Sequence, residues 1–280
     1  MSNFDSESIP QPGMDATNNK AAQGRRVSIG DFSLYLYCAG EGTPSVVFDS
    51  GLGDAWTIWS AVLPQVANFT QTCAYDRAGV GESDPATDLV PDTRTSLQMV
   101  EELHRLLHNA QITDPFVLVG HSLGGGNVQL YASLYPDEVA GLVLVDPAHE
   151  DQIVRGEAIL PRENISLMDQ FYAMGQEGTS KQSLLESGEQ FRSRRALPNV
   201  PTIVLAAGKT VMPEGWGTWP LEDMAALNKE LQQDLVSRTP QAQLIIAENS
   251  GHYIHMEQPE LVVEAIRQVV SQVRSAKQPE

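Results

Sequence analysis

The feature that most constrains the fold is an alternation of short apolar runs with longer segments of helical period. The short runs are rich in β-branched residues and are bounded by turn formers, which is typical of strands. They cover residues 32–38, 44–49, 72–76, 116–120, 141–146, 202–208 and 243–248. Several are apolar on both faces, which indicates strands covered by helices. We therefore predict an α/β fold, with a mostly parallel, twisted sheet, helices on both faces and right-handed crossovers.

One connection is much longer than the others. Residues 147–198 follow one apolar run and precede another, whereas an ordinary βα connection has about 2 to 6 residues. This segment contains two weak helical patterns, ISLMDQFYAM and KQSLLESGEQF. Because ligands of open α/β sheets bind at the carboxyl edge, we predict that residues 147–198 form a small helical cap over that edge. An outer insertion without function is the alternative. Residues 25–146 and 199–280 are predicted to form the core domain.

The N-terminal segment and the apolar runs bear on location. Residues 1–24 are polar, contain proline and glycine, and lack the apolar region of a secretory signal, so we predict a flexible arm. The longest apolar runs, such as VAGLVLV, are far shorter than the roughly 20 residues that cross a bilayer. We therefore expect a soluble, cytoplasmic protein with no membrane insertion.

Charge and cysteine content argue against several classes of function. The chain has 36 acidic residues against 18 lysines and arginines, a formal net charge of −18, which repels phosphate-rich partners and predicts no nucleic-acid binding. Cys38 and Cys73 lie in apolar, strand-like runs without the Cys/His spacing of a metal site. We expect buried free thiols, no metal and no cofactor. The sequence leaves the oligomeric state open.

The sharpest chemical signal is the pentapeptide GHSLG, residues 120–124, which fits the pattern G-x-S-x-G. It stands directly after a predicted strand and before a predicted helix, a context that forces Ser122 into a tight turn with its hydroxyl exposed. The helix that begins beyond Ser122 supplies free N–H groups and a positive dipole end, so we expect the Leu123 N–H to face a developing oxyanion. A glycine-rich turn with an uninvolved serine is the alternative.

A serine nucleophile needs a base, and the chain has six histidines. His252 follows Ser250-Gly251 in a loop between the last predicted strand and a helix that begins near Pro259, at the same sheet edge as Ser122. We predict His252 as the general base, with His255 as a packing residue and second candidate. The others are expected elsewhere: His104 and His108 on the flank of a helix, His121 pointing away from Ser122, and His149 at the start of the cap as a candidate substrate contact.

Together these motifs resemble the α/β-hydrolase fold and, within it, the capped esterase-like serine hydrolases. The resemblance covers residues 27–273, and the motifs occur in the family's order. FDSGLGDAWTIW, residues 48–59, looks like the family's oxyanion loop, which implies that Leu52 provides a second N–H beside Leu123. YDRAGVGESD, residues 75–84, looks like the Asp-Arg turn that shapes and braces the pocket in relatives. SGHYIHMEQPELV matches the histidine loop and implies His252 as the base.

The triad acid departs from the commonest family pattern. Most relatives place it after the strand that corresponds to residues 202–208, yet the only carboxylate in the loop that follows here is Glu214. A variant of the family places the acid one strand earlier, and that position is Asp146, at the end of a buried strand. The resemblance therefore implies a Ser122, His252 and Asp146 triad. The competing acids are Glu214, Asp223 and Asp49.

The implied reaction is hydrolysis of a small-molecule carboxylic ester through an acyl-enzyme. A serine at the elbow argues against dehalogenase and epoxide-hydrolase chemistry, which use an aspartate there in this fold. Other readings stay open: a serine C–C bond hydrolase, an amidase or aminopeptidase, a perhydrolase, or a non-enzymatic small-molecule receptor of the same fold. Candidate substrate contacts besides His149 are Trp56, Tyr172 and Trp216, although each is equally plausible as core filling.

Overall fold

The sheet is mostly parallel, as the alternation predicts. A computed structural model of the protein describes residues 22–86, 92–112, 115–174, 176–212 and 218–276. The strands are β1 Gln23–Ser28, β2 Ser33–Ala39, β3 Val46–Asp49, β4 Thr72–Tyr75, β5 Phe116–His121, β6 Val139–Val145, β7 Thr202–Ala207 and β8 Ala242–Ala247. Within these ranges they form one eight-stranded sheet in the order β1-β2-β4-β3-β5-β6-β7-β8, in which β2 alone runs opposite to the others.

Helices cover both faces of this sheet. They are α1 Leu63–Ala67, α2 Ser96–Ala110, α3 Leu123–Leu134, α4 Gln152–Ile159, α5 Arg162–Tyr172, α6 Lys181–Arg192, α7 Leu221–Val236, α8 Ile254–Glu257 and α9 Pro259–Ala276. Strand β5 illustrates the two layers, because Phe116 and Leu118 join the core under α2 and α3, whereas Val117 and Val119 join the core under α1 and α9. In the described ranges, no helix has the length and apolar character needed to cross a membrane.

Strand β1 was not expected from the sequence. Five of its six residues are exposed and only Val27 is buried, so it lacks the apolar pattern on which strand prediction depends. It is held by an antiparallel ladder to β2, from Gln23 opposite Cys38 to Ser28 opposite Ser33. Residues 23 and 24 of the expected arm therefore belong to the sheet, and residues 1–21 lie outside the described part.

The two cysteines form a disulfide, so the expectation of free thiols was wrong. Cys38 on β2 and Cys73 on β4 lie directly opposite each other, with their Cα atoms 4.1 Å apart. Directly opposite positions on adjacent antiparallel strands bring the two side chains close enough to bond. The residues are 35 positions apart in sequence. The register of two non-consecutive strands is set by the whole sheet, and no local sequence signal reveals it.

The long connection between β6 and β7 is helical, as the sequence predicts. It forms α4, α5 and α6, of which α5 and α6 overlap the two helical patterns seen in the sequence and α4 was not expected. Helix α6 packs against α2 and α3, and α4 packs against α7. A methyl group at Gly126 of α3 would lie 2.5 Å from the Phe191 ring of α6, so this contact requires a glycine.

Candidate active site

Ser122 lies in a strained turn between β5 and α3. Its φ of 52° and ψ of −119° belong to a region that non-glycine residues rarely adopt. The turn is tight, because a side-chain carbon at Gly120 would lie 2.4 Å from the Gly124 carbonyl oxygen. It is tied to the end of β6: the Ser122 N–H donates to the Val145 carbonyl at 3.2 Å, and the Ala148 N–H donates to the Ser122 carbonyl at 2.8 Å. The Ser122 side chain is only partly buried.

Asp146 follows β6 directly and faces His252. Its N–H donates to the Leu205 carbonyl at 2.7 Å, which fixes the turn against β7. One carboxylate oxygen, Oδ2, lies 2.7 Å from Nδ1 of His252, and the other accepts from the Ala207 N–H at 3.0 Å and the Asn228 amide at 3.2 Å. Because an ionised carboxylate only accepts, Nδ1 of His252 carries the proton and Nε2 is the unprotonated nitrogen of the neutral ring. That is the tautomer a general base needs.

Helix α7 supplies a support for Asp146 that sequence reasoning missed. The Gln232 amide donates to Oδ1 of Asn228 at 3.2 Å and to the Pro147 carbonyl at 3.1 Å. This assigns Oδ1 of Asn228 as an acceptor and directs its NH₂ group to Asp146. An asparagine inside an amphipathic helix gives no sequence signal of such a contact.

The backbone of His252 is anchored by the residue beside the serine. His121 donates from Nε2 to the His252 carbonyl at 3.0 Å, and the two rings lie 4.5 Å apart. Burial and then the nearby His252 and His255 lower the pKa of His121 well below its ordinary value, so the ring is neutral. The His252 side chain is 42% exposed. No hydrogen bond joins its ring to the Ser122 hydroxyl in the described part of the chain.

His255 is buried in apolar surroundings. Its ring centroid lies 4.5 Å from that of Trp59 and 4.5 Å from that of His121, and among the described residues neither ring nitrogen has a hydrogen-bond partner. Burial, with a contribution from His252, lowers the pKa of His255 to about 3. A neutral ring without a carboxylate partner suits the packing role that the sequence predicts.

The loop after β3 is held by a buried arginine. Arg77 donates to Oδ1 of Asp49 at 2.5 Å, to the Ser50 carbonyl at 2.6 Å and to the Gly51 carbonyl. The N–H and C=O groups of a trans peptide point in opposite directions. Since the Gly51 carbonyl faces Arg77, the Leu52 N–H of the same peptide points away from it. The loop thus presents this N–H on the side opposite the arginine.

Glu177 extends from the β6–β7 connection into the same network. Its fully buried carboxylate accepts from Nε of Arg77 at 2.6 Å, from a terminal nitrogen of Arg77 at 2.7 Å and from the Gly53 N–H at 2.5 Å. Arg94, which is paired with Glu102, lies 3.6 Å from this carboxylate. Burial raises the pKa of Glu177, but the charge and hydrogen bonds of Arg77 outweigh burial and hold it below its ordinary value. Nothing in the sequence indicated this contact between the connection and the loop.

The competing acids have other surroundings. Asp49 is bound to Arg77 and lies 3.3 Å from the Asn127 amide, and burial outweighs these contacts and raises its pKa. Asp223 is exposed in the first turn of α7. Glu214 lies outside the described residues. Among the described carboxylates, Asp146 is therefore the partner of the His252 ring.

Two of the aromatic candidates for substrate contact can be placed. Trp56 stacks on Tyr37 with ring centroids 4.2 Å apart and donates its backbone N–H to Asp76 at 2.7 Å. Tyr172 ends α5, and burial raises its pKa to about 12. Trp216 lies outside the described residues. Substrate contact stays a prediction for all three.

His149 lies in a charged cluster under the start of α4. Its Nε2 atom lies 3.1 Å from Oδ2 of Asp234 and 3.0 Å from Arg238, and its Nδ1 accepts from the Asp151 N–H at 3.0 Å. Burial lowers the pKa of His149 despite the neighbouring acids. The ring is buried and has polar partners on both nitrogens, and its contact with substrate stays a prediction.

The sheet order and the strained serine turn define an α/β-hydrolase fold, and comparison with known proteins agrees. The Alpha/beta hydrolase family matches residues 46–265, and the chain belongs to this family. The uncharacterized protein YqjL of Bacillus subtilis is 30% identical over 80% of this chain and 83% of its own. The esterase YbfF of Escherichia coli is 28% identical over 58% of this chain and 70% of its own. An esterase from Thermogutta terrifontis has a TM-score of 0.64 at 23% identity, covering 90% of this chain and 99% of that one.

Proposed function

We propose that this protein is a serine hydrolase that cleaves carboxylic esters of small molecules, with Ser122 as nucleophile, His252 as general base and Asp146 as the triad acid. The observation that carries the proposal is the 2.7 Å hydrogen bond between Nδ1 of His252 and Asp146, at the sheet edge where Ser122 has its strained turn. Membership of the alpha/beta hydrolase family supports hydrolysis, and similarity to the Escherichia coli esterase YbfF supports an ester substrate.

In the proposed reaction, Nε2 of His252 takes the hydroxyl proton as Oγ of Ser122 bonds to the acyl carbon. The carbonyl electron pair moves onto oxygen, and its return expels the alcohol, which leaves with the proton from His252. Water then attacks the acyl-enzyme by the same route, giving up a proton to His252 and releasing the acid and free Ser122. Asp146 holds the Nδ1–H tautomer and stabilises the imidazolium that forms in each step.

The Leu52 and Leu123 N–H groups are the proposed oxyanion donors. Arg77 supports the first by drawing the Gly51 carbonyl to the opposite side of that peptide. The Ala148 and Gly126 N–H groups support the second, because both donate to the Ser122 carbonyl and so orient the peptide that carries the Leu123 N–H. One such donor contributes about 3 kcal/mol to transition-state stabilisation in comparable sites.

Residues 147–198 are the proposed cap, and we assign them substrate range rather than bond chemistry. Their helices α4 to α6 follow the strand that ends at Asp146, and Tyr172 of α5 offers a partly buried aromatic surface for an acyl or alcohol group. Glu177 is the exception in this segment, because it holds the loop that carries Leu52. Tyr172→Ala is therefore expected to change the preferred acyl length while Ser122 still reacts with an organophosphate. Loss of labelling in this variant, if it remains folded, would contradict the assignment.

A substrate panel tests the proposed reaction. Purified protein is assayed with p-nitrophenyl esters of increasing acyl length, with matched p-nitroanilides and with a C–C hydrolase dione, and the Ser122→Ala variant serves as the blank. We expect the highest kcat/KM for an ester. A faster anilide or dione reaction would assign an amidase or C–C hydrolase instead, and absence of turnover in every arm would favour a receptor.

The cytoplasmic location remains a prediction, and one structural feature argues against it. Disulfides such as Cys38–Cys73 persist in oxidising compartments and are rare in the cytosol of mesophiles. Fractionation of the native cells, with each fraction probed for this chain, decides between the cytoplasm and an oxidising compartment. Recovery outside the cytoplasm would overturn the prediction.

A further inference from the structure

Two histidines and a glutamate converge at the sheet edge opposite the proposed catalytic residues. His104 and His108 lie one turn apart on α2, and Glu138 ends a short 3-10 helix, Pro136–Glu138, just before β6 begins. Both Nε2 atoms face the same carboxylate oxygen, Oε1 of Glu138, at 3.1 Å from His104 and 3.3 Å from His108. Asp146 lies beyond the other end of β6, so the length of a strand separates this cluster from the proposed triad.

We propose that His104, His108 and Glu138 form a site for a divalent transition metal, with Zn²⁺ as the best fit. In tetrahedral zinc sites with bonds of about 2.0 to 2.1 Å, neighbouring ligand atoms lie about 3.3 Å apart, close to the two distances here. All three ligand atoms lie within 4.8 Å of one another. Two imidazoles and one carboxylate are a ligand set that zinc uses, and water completes the fourth position.

The ligands are held by neighbours that do not compete for the ion. The Tyr131 hydroxyl donates to Oε2 of Glu138 at 2.5 Å, which leaves Oε1 for the metal and fixes the carboxylate plane. The Tyr135 ring stacks on His104 with centroids 3.9 Å apart and planes 10° from parallel. Such supporting contacts orient metal ligands and raise affinity.

A second cluster shows by contrast why this one is suited to a cation. His149, Glu150 and Asp234 also bring three ligand atoms together, but Arg238 lies 2.6 Å from Glu150 and 2.9 Å from Asp234 and so occupies the place of an ion. In the described part of the chain, the ion-pair partners of Glu138 are the two histidines alone. The net charge of −18 further favours cation binding over the whole molecule.

A metal site here differs from the sequence-based expectation of no metal. The spacing of the three ligands in the sequence explains why they were not grouped together. The spacing of four between His104 and His108 places both on one helix face, but the third ligand lies 30 residues further on and in another element. A bound ion would tie α2 to the turn before β6, so the metal is expected to stabilise the native fold.

Zinc titration of the metal-free protein tests the proposal. Affinity for Zn²⁺ alone is measured by competition with a chromophoric chelator, in a His252→Ala background so that the catalytic histidine does not contribute. We expect one ion per chain with a micromolar or lower Kd, and at least a tenfold loss of affinity in His108→Ala and in Glu138→Gln. Asp137→Asn is the matched control, since it removes the neighbouring exposed carboxylate and is expected to leave affinity unchanged.

A second measurement separates a built site from incidental binding. Zn²⁺ is expected to raise the Tm of the parent protein by several degrees and to leave that of His108→Ala unchanged. The His108 side chain is 56% exposed, so its removal leaves the fold intact. A millimolar Kd for Zn²⁺ in the His252→Ala protein would overturn the proposal. So would an affinity that stays the same when His108→Ala or Glu138→Gln is added to it.

Discussion

Nδ1 of His252 lies 2.7 Å from Oδ2 of Asp146, although the two residues are 106 positions apart in the chain. The sheet creates this contact, because β6 pairs with β7 and β7 with β8, and the loops at their carboxyl ends meet at one edge. The Ala207 N–H and the Asn228 amide occupy the other oxygen of Asp146. Both carboxylate oxygens of Asp146 therefore have hydrogen-bond partners that fix their positions.

Asp146→Asn is expected to lower kcat by about 10⁴, the loss seen when a triad aspartate becomes an amide and the histidine tautomer is wrong. The variant should fold, since the side chain keeps its shape. Ester turnover across pH 6 to 9, with circular dichroism to check folding, measures the effect.

Asp223→Asn is the matched control, because Asp223 is exposed on α7 and we expect no loss there. Glu214→Gln tests the remaining competing acid and is expected to change kcat far less than Asp146→Asn. The reverse ranking of these two variants would move the triad acid to the loop after β7.

Glu177→Gln is expected to lower both stability and kcat. The change preserves shape but removes the charge that pairs with Arg77, and breaking a buried pair costs about 3 to 5 kcal/mol. Because the loop that carries Leu52 loses its support, kcat should fall more than KM changes. Urea unfolding and ester kinetics measure the two effects, and Glu163→Gln, an exposed position of α5, is the control.

The buried pair of Glu177 and Arg77 is also expected to make the protein less stable in acid. The pKa of Glu177 is held below its ordinary value, so its contribution is complete above the unfolded pKa and is lost as pH falls through the folded pKa. Glu177→Gln should be affected less by acid than the parent protein. Equal acid dependence in both would contradict this prediction.

The buried, neutral His255 is expected to add a second pH dependence of folding stability, at higher pH than that of Glu177. Its folded pKa is about 3, whereas an unfolded histidine titrates near 6.5, so between these values only the unfolded state binds the proton. Stability therefore falls as pH falls through this window, by about 1.4 kcal/mol per pH unit from this ring. His255→Phe should remove that share of the slope in urea unfolding between about pH 6 and pH 4. An unchanged slope would mean that His255 is not buried in its neutral form.

The disulfide predicts that reduction destabilises the sheet. Cys38 and Cys73 close a loop with a sequence separation of 35, for which cross-linking contributes up to about 4 kcal/mol. A thiol reagent should detect no free thiol in the denatured, unreduced protein and two after reduction, and Tm should fall with reductant. Two reactive thiols without reductant would contradict the assignment.

The sequence predicted most of the sheet because its strands carry their own signals. Strands β2 to β8 are apolar runs bounded by turn formers, and the G-x-S-x-G pattern between β5 and α3 locates the Ser122 turn. Strand β1 was not predicted because it is an exposed edge strand with one buried residue, Val27. Its position depends on pairing with β2 rather than on its own composition.

The contacts between distant elements could not be predicted in the same way. The Cys38–Cys73 bond, the Glu177–Arg77 pair and the support of Asp146 by Asn228 each join segments whose register is set by the folded sheet. Asp146 was predicted as the triad acid because its strand ends on a charge at the edge that also carries Ser122, and its hydrogen bond to His252 supports that prediction. The wider family pattern had pointed instead to the loop after β7.

Ser122 is the nucleophile of the proposed triad, and the most direct test is kcat/KM for a p-nitrophenyl ester in the parent protein and in Ser122→Ala. The substitution removes one partly exposed hydroxyl, so the fold should remain intact. Loss of a triad serine in comparable enzymes lowers kcat by about 10⁶, and we expect ester turnover to fall to background, at least about 10³-fold. A folded Ser122→Ala variant that retains most of the parent turnover would contradict the proposed triad.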